Sequence, residues 1–77
     1  MLEVRRIHAF DDNYIWLIGC RDNPHVAIVD PGDAEPVIER LEQEGLQPTA
    51  ILITHHHGDH TGGVQELVQR YNIPVYG

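Results

Sequence analysis

Six consecutive residues, His55-His56-His57-Gly58-Asp59-His60, follow directly on the apolar run Thr49-Ala50-Ile51-Leu52-Ile53-Thr54. The apolar run reads as a short strand buried on both faces. A chain of this kind must therefore deliver several imidazoles and a carboxylate from the end of a buried strand. In extended backbone, residues i and i+2 point the same way. His55 and His57 can converge on one point while His56 points elsewhere. Gly58 permits a tight turn, past which Asp59 and His60 can present a carboxylate and an imidazole to a second point nearby. Neutral imidazole and carboxylate suit Zn²⁺, Mn²⁺ or Fe²⁺. Zinc is the first choice on ligand type, and iron is compatible with the same donors.

The pattern is specific. With 6 His in 77 residues, the spacing His-x-His-x-Asp-His arises by chance at a rate on the order of a few per thousand. Affinity tags are terminal and uninterrupted, whereas this cluster is internal and follows an apolar strand. Two donors do not complete a metal site, because catalytic zinc generally takes three protein ligands and leaves a position for water. Four donors split two and two leave each of two metals short. His8, His25 and Cys20 have no supporting spacing. Two metals about 3.5–4 Å apart can share a water and lower its pKa towards neutrality, which gives a nucleophile without Ser or Cys. One of them can also take up developing oxyanion charge. Gly62 and Gly63 would allow backbone to approach such a site closely.

The remaining segments are short. Residues 2–8 alternate apolar and charged and read as a half-buried strand. Asp11-Asp12-Asn13 is a turn signal. Tyr14 to Cys20 reads as a buried strand, joined through a turn at Arg21 to Pro24 to the strand His25-Val26-Ala27-Ile28-Val29. Asp30-Pro31-Gly32-Asp33 breaks the chain. A helix follows, with Asp33 as N-cap, Pro36 in the first turn, an apolar face of Val37, Ile38 and Leu41, and a stop at Gly45-Leu46. A second helix is expected from about Thr61 to Tyr71, with Val64, Leu67, Val68 and Tyr71 on one face. Ile73-Pro74-Val75-Tyr76 begins a further strand. The order β-β-β-α-β-α-β defines an α/β chain whose last three strands should pair in parallel through right-handed crossovers. Ending on a newly begun apolar strand with an unpaired edge suggests a piece of a longer domain.

Composition removes several classes of function. The formal charge is −7, and all five basic residues are Arg. Such a surface repels phosphate backbones, so no nucleic-acid partner is expected. The start, Met1-Leu2-Glu3-Val4-Arg5-Arg6, has no apolar signal region. No apolar run is long enough to span a bilayer, so no membrane partner is expected. The single cysteine, Cys20, excludes an internal disulfide and fits a reducing compartment. A soluble cytoplasmic protein is the default reading.

At Thr54-His55-His56-His57-Gly58-Asp59-His60 the chain resembles the metallo-β-lactamase fold, whose signature is Thr-His-x-His-x-Asp-His. Three further stretches narrow the resemblance: Phe10-Asp11-Asp12-Asn13-Tyr14-Ile15-Trp16, Val29-Asp30-Pro31-Gly32-Asp33-Ala34 and Thr61-Gly62-Gly63. Together they resemble the glyoxalase II, or hydroxyacylglutathione hydrolase, family. The likeness covers essentially all 77 residues, but only the N-terminal part of such an enzyme. It implies that residues 1–77 are a partial metallo-β-lactamase-type domain, the front half of an αββα sandwich. It implies two divalent metal ions, zinc before iron or manganese, with His55 and His57 on the first and Asp59 and His60 on the second. A third His, a bridging Asp and a final His would come from later segments. The implied reaction is hydrolysis of S-D-lactoylglutathione to D-lactate and glutathione by a metal-bound water held by His55, His57, Asp59 and His60. The implied partner is a small-molecule glutathione thioester, and the full-length enzyme is expected to be monomeric. The fold alone would not settle this, because one fold hosts many chemistries.

Asp30 ends a strand beside the expected site and can hydrogen-bond a ligand histidine from behind. A turn-forming role is an equal alternative. Tyr14 and Trp16 alternate with Ile15 and Leu17, and core packing is favoured for them over substrate contact. Glu66 reads as part of a solvated face. Two other functions stay open at this level. One is a different enzyme of the same fold, such as an iron-dependent persulfide dioxygenase; the other is a non-catalytic metal-binding or assembly module. With half of the ligands present, residues 1–77 alone are expected to be inactive and to expose apolar faces that lack partners.

Overall fold

A computed structural model describes residues 2–9, 13–54 and 63–77. The Phe10-Asp11-Asp12 turn and the segment 55–62, which holds the four candidate ligands, lie outside the described residues. Among the described residues, five strands form one sheet in the order β1-β2-β3-β4-β5. They are β1 (Leu2–Ala9), β2 (Asn13–Cys20), β3 (His25–Val29), β4 (Gln47–Leu52) and β5 (Val75–Tyr76), with helices α1 (Ala34–Glu44) and α2 (Val64–Tyr71) between the later ones. The order is the one expected. β1, β2 and β3 pair antiparallel, whereas β3, β4 and β5 pair in parallel, using the intervening helices as the crossovers that parallel pairing needs.

The core lies on one face of the sheet. Ile7, Ile15, Leu17, Val26, Ile28 and Ile51 project from the strands against Val37 and Leu41 of α1 and Leu67 of α2. The cross-strand register puts these residues in rows: Ile7 faces Ile15, Leu17 faces Ile28, and Ile28 faces Ile51. α1 forms where its caps dictate. The Asp33 carboxylate accepts the Glu35 N–H at 3.3 Å, and Gly45 closes the helix in the left-handed region at φ 65°. The Leu46 N–H then donates to Leu41 O at 2.8 Å, which satisfies a carbonyl that the helix end would leave unpaired. The last turn of α1 has no basic residue of its own and carries Glu42 and Glu44 near the negative end of the helix dipole. Cations from other elements offset them, with Arg5 of β1 at 2.7 Å from Glu44 and Arg70 of α2 at 3.2 Å from Glu42.

Two expectations about burial are corrected. β2 is not buried on both sides: Ile15 and Leu17 are buried, but Tyr14 and Trp16 are 41% and 37% exposed. Core packing for that aromatic pair is therefore wrong. They lie on the opposite face with Leu2, Val4 and Ile18, which no described element covers. β4 likewise buries only Ile51 fully, with Ala50 and Leu52 half-buried. A run of apolar residues signals two apolar faces, but it cannot say whether both have a partner within the same 77 residues. Boundaries also shift. β4 starts at Gln47 and stops at Leu52, α2 starts at Val64, and β5 is confined to Val75–Tyr76.

Candidate metal-loop anchor

The parallel strands β3 and β4 end side by side, and the chemistry-bearing segment leaves from that end. After Val29 the chain turns at Asp30, a non-glycine residue with φ 53°. Aspartate tolerates this left-handed conformation better than most residues because its short side chain bonds locally. Here the bonds reach across the sheet end. The Asp30 N–H donates to Leu52 O at 3.0 Å. The Asp30 carboxylate, 7% exposed, is the one buried charged group among the described residues. Its Oδ1 accepts the Thr54 N–H at 2.7 Å, and its Oδ2 accepts the Thr54 hydroxyl. A buried carboxylate needs such donors, because an unpaired one is costly to desolvate. Asp30 thus holds the residue immediately before His55. The turn itself closes through backbone atoms, with the Gly32 N–H donating to Asp30 O at 2.9 Å, whereas the Asp30 carboxylate reaches Thr54. Any contact with a ligand histidine involves residues outside the described set.

The far flank of the segment is held by the same turn. The Gly63 N–H donates to Pro31 O at 2.8 Å. A Cβ at position 63 would stand 2.5 Å from Ala34 N, 2.7 Å from Asp33 C and 2.8 Å from Pro31 O. The Gly62-Gly63 pair is expected to let backbone approach the metal site, whose residues lie outside the described set; for Gly63 a close approach to the 31–34 turn is present. A glycine just ahead of a helix signals such an approach, but sequence alone does not say to what.

His55, His57, Asp59 and His60 lie outside the described residues; the residues described on either side of them are Thr54 and Gly63. His8 and His25, which had no supporting spacing, lie on β1 and β3, and Cys20 is exposed at the end of β2. Among the described residues no group of three His, Cys, Asp or Glu side chains assembles elsewhere. An open groove of about 400 Å³ lies at the opposite end of the sheet, between the β2–β3 turn and the C-terminus of α1. Arg5 and Arg21 line it, and Arg5 is already paired with Glu3 at 2.6 Å and Glu44 at 2.7 Å.

The described residues thus hold both flanks of the His/Asp segment beside the ends of two parallel strands, with helices on one face of the sheet. Residues 9–77 match the model of the metallo-beta-lactamase superfamily, and the chain belongs to that superfamily. The similarity is closer within one branch. The chain is 61% identical over all 77 residues to a hydroxyacylglutathione hydrolase of Chromohalobacter salexigens, and 58% identical to that of Alkalilimnicola ehrlichii. It spans 30% of the length of each of these relatives. Among solved structures, the BLEG-1 B3 metallo-β-lactamase superposes with a TM-score of 0.86 at 37% identity, covering 96% of this chain and 36% of that one.

Proposed function

We propose that these residues are the N-terminal, ligand-bearing part of a metal-dependent hydrolase that cleaves glutathione thioesters of the S-D-lactoylglutathione type. The observation that carries this reading is identity of 61% along the whole chain with a relative named for that activity, across a segment that contains His55, His57, Asp59 and His60. The donor set fits two divalent cations, zinc first, because neutral imidazole and carboxylate are their preferred ligands. His55 and His57 would hold the first and Asp59 and His60 the second, with the remaining ligands supplied from outside residues 1–77. When bound, such cations acidify water and stabilise the negative charge that develops on a thioester carbonyl oxygen. The chain's own part is positioning. Asp30 holds Thr54, and Pro31 holds Gly63, on either side of the donors. The substrate is a small, anionic thioester, with no nucleic acid or membrane involved, and a reducing cytoplasmic setting suits both glutathione and the single Cys20.

The test uses the polypeptide as its gene encodes it. Metal content is measured by elemental analysis, and thiol release is followed with S-D-lactoylglutathione. Two equivalents of zinc, or of manganese or iron, together with thioester turnover support the reading. Stoichiometric iron with oxygen consumption on a glutathione persulfide, and no thioester turnover, would overturn it in favour of a persulfide dioxygenase. Metal uptake with neither activity would leave a binding module instead.

A further inference from the structure

We infer that Gly63 is a positioning residue for the metal donors, because its missing side chain lets one five-residue turn, 30–34, anchor both flanks of the 55–62 segment. The inference rests on the metal-hydrolase reading above. Three bonds tie the turn down. Asp30 N–H reaches Leu52 O at 3.0 Å, the Asp30 carboxylate takes the Thr54 N–H at 2.7 Å, and Pro31 O takes the Gly63 N–H at 2.8 Å. Thr54, through the Asp30 carboxylate, and Gly63, through Pro31 O, are therefore held by adjacent residues of one turn, although the whole candidate donor set lies between them. Pro31 and Gly32 are themselves buried, so the turn has little room to move.

The downstream anchor is the sterically demanding one. All three atoms nearest a Cβ at position 63 belong to backbone: Ala34 N, Asp33 C and Pro31 O. No side-chain rotation can make room, so an alanine must push residue 63 away from the turn. Donor sets need placement within about 0.5 Å to bind a metal well. Asp59 and His60 are nearer in sequence to Gly63, and His55 follows directly on Thr54. The two anchors should therefore act on different metals: Gly63 on the Asp59/His60 pair and the Asp30–Thr54 contact on the His55/His57 pair.

The experiment titrates zinc into metal-free protein, expressed as its gene encodes it, in competition with a chromophoric chelator. Melting temperatures are recorded with and without zinc. Gly63→Ala should weaken the second zinc equivalent by about tenfold or more, the scale seen when groups supporting metal ligands are lost, and leave the first within about threefold. Its zinc-induced rise in melting temperature should shrink. Thr54→Val, which keeps the backbone bond to Asp30 but removes the hydroxyl donor, should weaken the first equivalent more than the second. Gly45→Asn, at a left-handed position with open space around it, should change neither. If Gly63→Ala lowers the metal-free melting temperature but leaves both affinities and the zinc-induced rise intact, Gly63 is merely structural and the inference fails. If Gly63→Ala does not fold, Thr54→Val with both affinities unchanged overturns the anchoring scheme. Wild-type protein that takes up no zinc, manganese or iron would instead defeat the hydrolase reading itself.

Discussion

Trp16 stands opposite Val29 in the antiparallel β2–β3 pair, on the sheet face that carries neither helix. Val29 is buried although it is not part of the core cluster, whereas Trp16 is 37% exposed. Leu2, Val4, Tyr14 and Ile18 extend the same surface along β1 and β2. Arg6 and His8 border it, with the Arg6 guanidinium 4.8 Å from the centre of the Tyr14 ring and the His8 ring 5.4 Å from it. A contiguous apolar patch of this kind favours association. Purified residues 1–77 should therefore self-associate and bind a hydrophobic dye, and Trp16→Thr should reduce both. Sedimentation velocity checks this. A monomer that melts in one sharp transition without dye binding would contradict it.

Leu67 is the one fully buried residue of α2. Its neighbours Val64, Val68 and Tyr71 only border the core. Leu67→Ala should cost about 2–5 kcal/mol, the range for a core leucine whose site cannot collapse. The loss should appear first as faster amide hydrogen exchange in α2 and β5. Denaturant melts and exchange mass spectrometry of the gene-encoded polypeptide measure both.

Asp30→Ala removes the acceptors for the Thr54 N–H and hydroxyl. It also puts a residue with no local bonding at φ 53°. The combined cost should be about 2–4 kcal/mol, one part from unsatisfied donors and one from the left-handed backbone. Asp30→Asn keeps one acceptor and tolerates that backbone, so it should cost about 1 kcal/mol. Urea unfolding midpoints distinguish the pair. Equal losses would mean that keeping the side chain's shape and one acceptor recovers nothing, so that both carboxylate oxygens are needed.

Removing metal should abolish thioester turnover, and restoring zinc should recover it. Replacing His57 or His60 with Ala should lower turnover by a factor on the order of 100 or more, since even groups behind the ligands reach that scale. Residues 1–77 alone, with zinc added, should show no turnover, because four donors divided between two metals complete neither. Thiol release assays settle each point, and turnover from the isolated 77 residues would defeat the two-metal division.

Gly45 adopts φ 65° at the end of α1, and a Cβ there would meet nothing within 4 Å. Only backbone preference separates the variants. Gly45→Ala should cost about 1 kcal/mol, and Gly45→Asn clearly less. Thermal melts in parallel check the order.

Local chemistry was readable wherever it is decided by neighbours in the chain. Asp33 as N-cap, Pro36 in the first turn and Gly45 as the stop of α1 all hold, because caps depend on residues within one helical turn. The strand order and the change from antiparallel to parallel pairing follow from short turns and intervening helices. The donor spacing in 55–60 marks the candidate site by its residue types alone.

Tertiary structure decided what depends on distant residues meeting. Periodicity showed that β2 and β4 are apolar on both sides, but only the fold shows that helices cover one face and leave Tyr14 and Trp16 on the other. Nothing local links Asp30 to Thr54, or Pro31 to Gly63; the parallel pairing of β3 with β4 brings them together. Sequence by itself determined which elements form and which donors are on offer, because those are short-range matters of dihedral preference and ligand chemistry. Which turn holds both flanks of the 55–62 segment was settled only when the strand ends came side by side, since hydrogen bonds and close packing act only at contact distance.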